Sequence, residues 1–292
     1  MKRTKLNRQV SPKRQRGYQI APLLALRANG LPYILALSAF LAFCGGAFAQ
    51  GWGNIKGKVE WTPAAIPAPR NLVANEPPAN IPPCIKGGVL LSDEFKIDKK
   101  TKGVANVMVW IASIQDSDRS IKKPAEIPIH PDLKAVPKNN AVIDQPCCLF
   151  EPRVIMFREG QTLEVRNSAG FAHSFSFSGD SERNGSKNST IPPGGKATYE
   201  LKAQKDVIPI SCTLHRWMEG RIIVLNHPYF ALTKEDGTFE IKNAPAGNFL
   251  LYVKHEKNGW LHRPDDPKRP SKGQTIAIKA GQTLDLGRIE MK

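Results

Sequence analysis

From residue 207 to 225 the chain reads Val-Ile-Pro-Ile-Ser-Cys-Thr-Leu-His-Arg-Trp-Met-Glu-Gly-Arg-Ile-Ile-Val-Leu. Two β-rich runs flank a short loop that carries Cys212, His215 and Met218 in the spacing Cys-x2-His-x2-Met. A thiolate, an imidazole and a thioether on one tight turn are soft donors, and such donors suit copper. A second imidazole would complete a His2Cys set with a weak axial Met, the arrangement of an electron-transfer copper centre. His173 supplies it from upstream. With a period of two, Phe171, His173, Phe175 and Phe177 share one strand face, while Ala172, Ser174, Ser176 and Ser178 share the other. That strand points one imidazole inward among phenylalanines, and a buried, neutral ring is what a copper ligand needs.

These residues carry a family resemblance. Residues 141–226, with His173, Cys212, His215, Met218 and the strand Gly160-Gln-Thr-Leu-Glu-Val-Arg-Asn167, resemble the cupredoxins, and the ligand loop is most similar to that of the amicyanins. The resemblance implies a Greek-key β-sandwich with one type 1 copper. His173, Cys212 and His215 would form its trigonal plane, with Met218 as the long axial ligand. Cupredoxins commonly place Asn directly after the first His; here it is Ser174, which changes the hydrogen bonding around the thiolate. Met is a poor zinc ligand, and no second Cys or carboxylate is expected nearby, so copper is expected over zinc.

The elements around this module are also β-rich. Asn54–Trp61 alternates, and Val107, Val109 and Ile111 alternate against Met108 and Trp110. A Pro-rich loop spans 63–83, and periodicity stops between 113 and 140. Asp236-Gly237 predicts a hairpin turn. Asp236-Gly-Thr-Phe-Glu-Ile241, Pro245-Ala-Gly-Asn-Phe249, Gly57-Lys-Val59 and Val104-Ala-Asn-Val-Met-Val109 resemble a carboxypeptidase regulatory-like (transthyretin-like) β-sandwich. The expected fold class is therefore all-β: a cupredoxin sandwich inserted in a second, transthyretin-like one. Residues 50–115 and 228–292 would form the split sandwich, 116–140 a linker and 141–227 the copper domain. A tandem arrangement is the alternative.

Residues 1–49 read as an export signal. Eight Lys or Arg and no acid fall in the first 30 residues, followed by an apolar run from Leu31 to Phe43 and Ala47-Phe48-Ala49. A lipoprotein cleavage before Cys44 and a retained anchor are the less favoured readings. Export places the protein in the periplasm or outside the cell, not integral to the membrane after cleavage. Much of the +16 net charge lies in this leader. The remaining basic residues are scattered without interleaved aromatics, so nucleic acid is not expected as a partner. A redox protein, acidic if Arg216 selects it, is. Leu214 and Trp217 would form the docking patch, with His215 as the electron's exit.

Cys84, Cys147 and Cys148 are left over. Adjacent cysteines rarely pair with each other, so Cys84 should bond one of the two in an oxidising compartment. The residues leave the choice open; the resemblance implies Cys148, four residues after Asp144. His130, His227, His255 and His262 show no metal-ligand spacing, and His255-Glu256 suggests capping rather than a second metal site. Without a His-x-His pair, a Cys-x-x-Cys-His haem motif, a catalytic triad or a phosphate loop, the chain is not expected to be an enzyme. Beside electron transfer stand two alternatives, a copper carrier or scavenger and an envelope-binding scaffold with a vestigial site.

Overall fold

In the computed structural model, residues 50–118, 120–261 and 273–292 are described. The expected signal segment, Cys44 and His262 lie outside them. Among the described residues every extended element is a strand, and the only helical pieces are short 3-10 turns. No helix there is long and apolar enough to cross a membrane.

Among the described residues the strands form four sheets. In the first, β1 (Trp52–Trp61) lies between β12 (Thr238–Pro245), antiparallel to it, and β16 (Thr283–Met291), parallel to it. The second places β2 (Met108–Ala112) between β11 (Phe230–Leu232) and β13 (Gly247–His255). In turn β13 pairs with β14 (Gly259–Trp260) and β15 (Gln274–Ile278). The third runs β4 (Val154–Arg158), β10 (Glu219–Leu225), β9 (Ile208–Ser211), β6 (His173–Ser178) and β7 (Ser186–Ile191). The fourth holds β3 (Ala141–Ile143), β5 (Thr162–Arg166) and β8 (Lys196–Glu200). The first two sheets thus take strands from both sides of the segment that builds the third and fourth.

The alternation in β2 explains the stacking. Val109 and Ile111, with Val107 just before the strand, join Ile55, Val59, Phe239, Ile241, Leu251 and Val253 in the core between the first and second sheets. Met108, Trp110 and Ala112, on the opposite face, pack with Leu250 and Tyr252 against Val154, Ile223 and Leu225 of the third sheet. The alternating pattern would ordinarily mark a half-buried strand. Here both phases are apolar, and all five residues of β2 are buried. The third and fourth sheets enclose a separate core of Phe150, Leu163, Val165, Phe175, Phe177, Tyr199, Ile208 and Ile222.

The turn at Asp236-Gly237 forms, but it does not close a hairpin within one sheet. Lys234 and Thr238 are hydrogen-bonded and Gly237 takes φ 80°. Its flanking strands belong to facing sheets, because β11 adds to β2 while β12 adds to β1. A Cβ at Gly103 would sit 2.0 Å from the Asp236 carbonyl, so this crossing needs glycine there.

Buried polar groups fasten the layers. Arg153, just before β4, donates from Nε to Glu256 at 2.6 Å, and both side chains are almost wholly buried. Asp93 and Glu94 lie 3.6 Å from the same guanidinium. His227 accepts the Tyr229 N–H at its Nδ1 and its ring is also hydrogen-bonded to the Ile111 backbone. His255 accepts from the N–H groups of Lys257 and Asn258, so it caps a turn.

Two expectations follow. Arg153→Met strands Glu256 as a buried, unpaired carboxylate and should cost about 3–5 kcal/mol in chemical denaturation; a loss within 0.5 kcal/mol would show that the pair holds nothing together. Burial holds the His227 ring neutral, with its pKa brought down to about 3, and brings His255 down to about 4. The unfolded chain binds protons at these rings below pH ~6.5 while the folded chain does not, so stability is full above that pH and drains away as pH falls towards 4 and 3. At pH 5 each ring should lower stability by about 2 kcal/mol relative to neutral pH. His227→Gln should flatten that slope, and a slope equal to that of the unaltered protein would refute the assignment.

Candidate metal centre

The third sheet brings the candidate donors together. The edge of β6 presents His173, β9 leads directly into Cys212, and β10 begins just after Met218. The loop between β9 and β10 is held by two backbone hydrogen bonds, Cys212 N–H to the Met218 carbonyl at 3.0 Å and Met218 N–H to the His215 carbonyl at 2.9 Å. Glu219–Ile222 pair antiparallel with Ser211–Ile208, which closes this loop at its base. The spacing Cys-x2-His-x2-Met therefore fits one turn whose ends are fixed by a sheet.

Both imidazoles turn Nδ1 towards the sulfur. Cys212 Sγ lies 3.8 Å from His173 Nδ1 and 3.6 Å from His215 Nδ1, and the two nitrogens are 3.2 Å apart. Donors about 2.0–2.3 Å from a common ion lie roughly 3.6 Å from each other in a trigonal plane, so these atoms fit one metal ion with little movement. His173 and Met218 are fully buried, Cys212 nearly so, and His215 is half-buried. Met218 shares the core cluster with Cys212, Phe175 and Ile210. Phe171 and Trp217 stand beside the rings, with centroids 5.0 Å from His173 and 5.4 Å from His215 respectively.

Ser174 occupies the position after the first imidazole and serves the sulfur directly. Its backbone N–H points at Cys212 Sγ from 3.4 Å and its Oγ from 3.5 Å. That Oγ also accepts the Thr213 N–H at 2.7 Å, tying strand to loop. Strict alternation would place Ser174 on the face away from the imidazole. It is nonetheless buried, because the ligand loop folds over this end of β6. Asn167 donates to the carbonyls of Phe171 and Ile191, both at 2.9 Å, and so positions the approach to His173.

Burial pushes the Cys212 thiol up. Hydrogen bonds with His173, His215 and Ser174 outweigh it and bring the pKa down to about 5. The group is therefore a thiolate at neutral pH, the form that coordinates metal.

The disulfide differs from the expected one. Cys84 bonds Cys147, with Cα atoms 6.0 Å apart, and not Cys148. Cys148 is a fully buried free thiol. The three sulfurs of Cys84, Cys147 and Cys148 all lie within 4.8 Å of one another, and the bond forms with Cys147. The segment is closed by paired backbone hydrogen bonds between Asp144 and Glu151, at 2.7 and 2.9 Å. Asp144 also accepts from Gln145 N–H and from the Ser168 hydroxyl. Cys148 instead faces the centre: its sulfur and ring nitrogens of His173 and His215 lie within 4.8 Å of one another. The expectation that no second cysteine is near is thereby corrected. Burial, and secondarily the Cys212 thiolate, push the Cys148 thiol up to about 12.

The Pro-rich loop becomes a cover. Asn71 closes it by accepting the N–H groups of Val73 and Leu90 and donating to Gly88. Val73 and Ile85 pack on Cys148, with Ile81, Leu90, Phe171 and Trp217 around them. Beyond it, a cleft of about 510 Å³ lies over the ligand loop, lined by Glu76, Asn80, Thr213, Leu214, His215, Arg216 and Trp217. Leu214 is 54 % exposed there, whereas Trp217 is partly buried. Neither the cover nor the acidic Glu76 was legible in the sequence, where the sole signal is a few apolar residues scattered through a proline-rich loop.

Ser174→Ala removes one hydrogen bond to the sulfur and two to Thr213 of the ligand loop. It should raise the Cys212 thiol above about 5 and destabilise the metal-free protein by about 1 kcal/mol. Titrating the thiolate by its ultraviolet absorbance checks this, and an unchanged midpoint would show that the Ser174 hydroxyl does not tune the sulfur.

No protein-family model and no curated protein matches this chain. Among solved structures it is similar to a copper(I) form of an amicyanin mutant, at 18% identity and TM-score 0.27, over 30% of this chain and 85% of that one. A reduced amicyanin mutant gives 17% identity and TM-score 0.26, over 32% and 95%. A purple cupredoxin from Nitrosopumilus maritimus gives 18% identity and TM-score 0.25, over 29% and 99%. At these scores the likeness is slight, and the chemistry of the centre rests on its own residues.

Proposed function

We propose that this chain is an exported type 1 copper protein of the cupredoxin kind, a carrier of single electrons and not an enzyme. The observation that carries the reading is the convergence of His173 Nδ1 and His215 Nδ1 on the Cys212 sulfur at 3.8 and 3.6 Å, in a buried setting. Copper bound there would supply one-electron chemistry, held by His173, Cys212 and His215 with Met218 as the weak fourth donor. With Cys148 close by, the argument for copper over zinc rests on Met218 and on the trigonal arrangement.

The chain's own residues do the rest. His173 on β6 and Cys212 directly after β9 have little freedom, which favours one geometry for both oxidation states. Ser174 directs its N–H at the sulfur and so steadies negative charge there. The cover and the phenylalanines keep water from the buried imidazole. His215 lines the cleft and is the exit for the electron; Leu214 offers a partner an apolar contact, with Arg216 and Glu76 setting its charge preference.

Export is part of this reading. The basic leader, the apolar run and Ala47-Phe48-Ala49 support cleavage after residue 49, and the Cys84–Cys147 disulfide suits an oxidising compartment. We also read residues 50–115 and 228–292 as one transthyretin-like sandwich interrupted by 141–227. The pairing of β1 with β12 and β16, and of β2 with β11 and β13, supports it.

Adding one equivalent of copper(II) to the protein should produce an intense thiolate-to-copper band in the visible and a narrow copper hyperfine splitting. Cys212→Ser should abolish both while leaving the circular dichroism of the fold intact. A colourless unaltered protein rejects type 1 copper; an unfolded variant would mean that Cys212 is core and nothing more.

A further inference from the structure

The imidazole pair has a thiol on more than one side. Cys212 comes from the ligand loop, and Cys148 from the segment closed by Asp144 and Glu151. Cys147 takes the bond to Cys84, which leaves the Cys148 sulfur reduced and turned inward. Its place is set by backbone hydrogen bonds on both sides of it and by the packing of Val73 and Ile85. His173 is fully buried, and its Nδ1 lies 3.2 Å from that of His215, so the two rings present their nitrogens to one place.

We propose that Cys148 is a second sulfur ligand of the centre and that, with His173 and His215, it can hold copper(I) independently of Cys212. This deepens the reading of a copper centre at these imidazoles and rests on it. The donors suit the ion: thiolate selects copper(I), and imidazole accepts copper in either oxidation state. The three atoms lie within 4.8 Å of one another, close to the span that bonds of about 2.0–2.3 Å to one ion can bridge. On binding, copper(I) replaces the proton on the Cys148 sulfur, one S–H bond giving way to one S–Cu bond. The proton leaves to solvent, and no electron changes hands. Both sulfurs face the same two imidazoles, so Cys148 can hold copper(I) there when Cys212 does not.

A competition measurement decides it. The full protein, Cys212→Ser and the Cys212→Ser/Cys148→Ser double variant are each given copper(I) held by a chromophoric chelator, with circular dichroism confirming the fold. The expected result is that Cys212→Ser still withdraws copper(I), and that adding Cys148→Ser weakens this at least tenfold. Equal affinities for the single and double variants overturn the role of Cys148 while leaving the Cys212 centre standing, provided the unaltered protein binds. No uptake by the unaltered protein overturns both readings together. Should Cys212→Ser not fold, X-ray absorption of the copper(I)-loaded protein takes its place. The sulfur count should then fall by one in Cys148→Ser, and an unchanged count refutes the proposal.

Discussion

A strand buried on both faces organises this molecule. Met108–Ala112 has no side chain to give to solvent, so a sheet must cover each of its sides. The first sheet covers one with Ile55, Val59 and Phe239, and the third covers the other with Val154, Ile223 and Leu225. At about 25 cal/mol per Å² of apolar surface, such burial does more than any other interaction to hold the layers together. Because β10 belongs to the third sheet, the far end of the strand that leaves the ligand loop is packed against β2 through Ile223 and Leu225. The ligand loop therefore sits on a firm platform.

Polar groups add direction to that apolar stacking. Hydrophobic contact would tolerate some sliding between sheets, whereas the Arg153–Glu256 pair is short, buried and specific. It joins the start of β4 to the residue after β13, and Asp93 and Glu94 bring in the base of the cover loop. The cover is held a second time by the Cys84–Cys147 bond. Two different fastenings thus keep one loop over the imidazoles, which accounts for the complete burial of His173 in a module whose ligand loop lies at its rim.

At the centre itself, the decisive balance is between desolvation and hydrogen bonding. A buried thiol ordinarily stays protonated, and Cys148 does. Cys212 is buried to a similar degree yet ionises, because two imidazoles and both donors of Ser174 face it. Two sulfurs beside the same pair of imidazoles thereby acquire opposite characters from their neighbours alone. Ser174 links strand and loop here, since its hydroxyl reaches Thr213 and its backbone supplies an N–H to the sulfur.

The chain's own order determined much of this. Local signals such as the two-residue period of β2 and β6, and the Cys-x2-His-x2-Met turn, act over a few residues. They were enough to identify an all-β protein and to name His173, Cys212 and His215, which the fold brings within 3.8 Å of one another. Side-chain direction in a tight loop and contacts across long separations are not local. Only the tertiary structure could decide that Cys147 rather than Cys148 meets Cys84, that Ser174 turns to the sulfur, and that the Asp236-Gly237 turn crosses between sheets. The same holds for the proline-rich loop, whose apolar residues carry no period and find their purpose only where Val73 and Ile85 meet Cys148. Periodicity can tell a residue which face it occupies, but the neighbour across the gap comes from another part of the chain, and packing alone selects it.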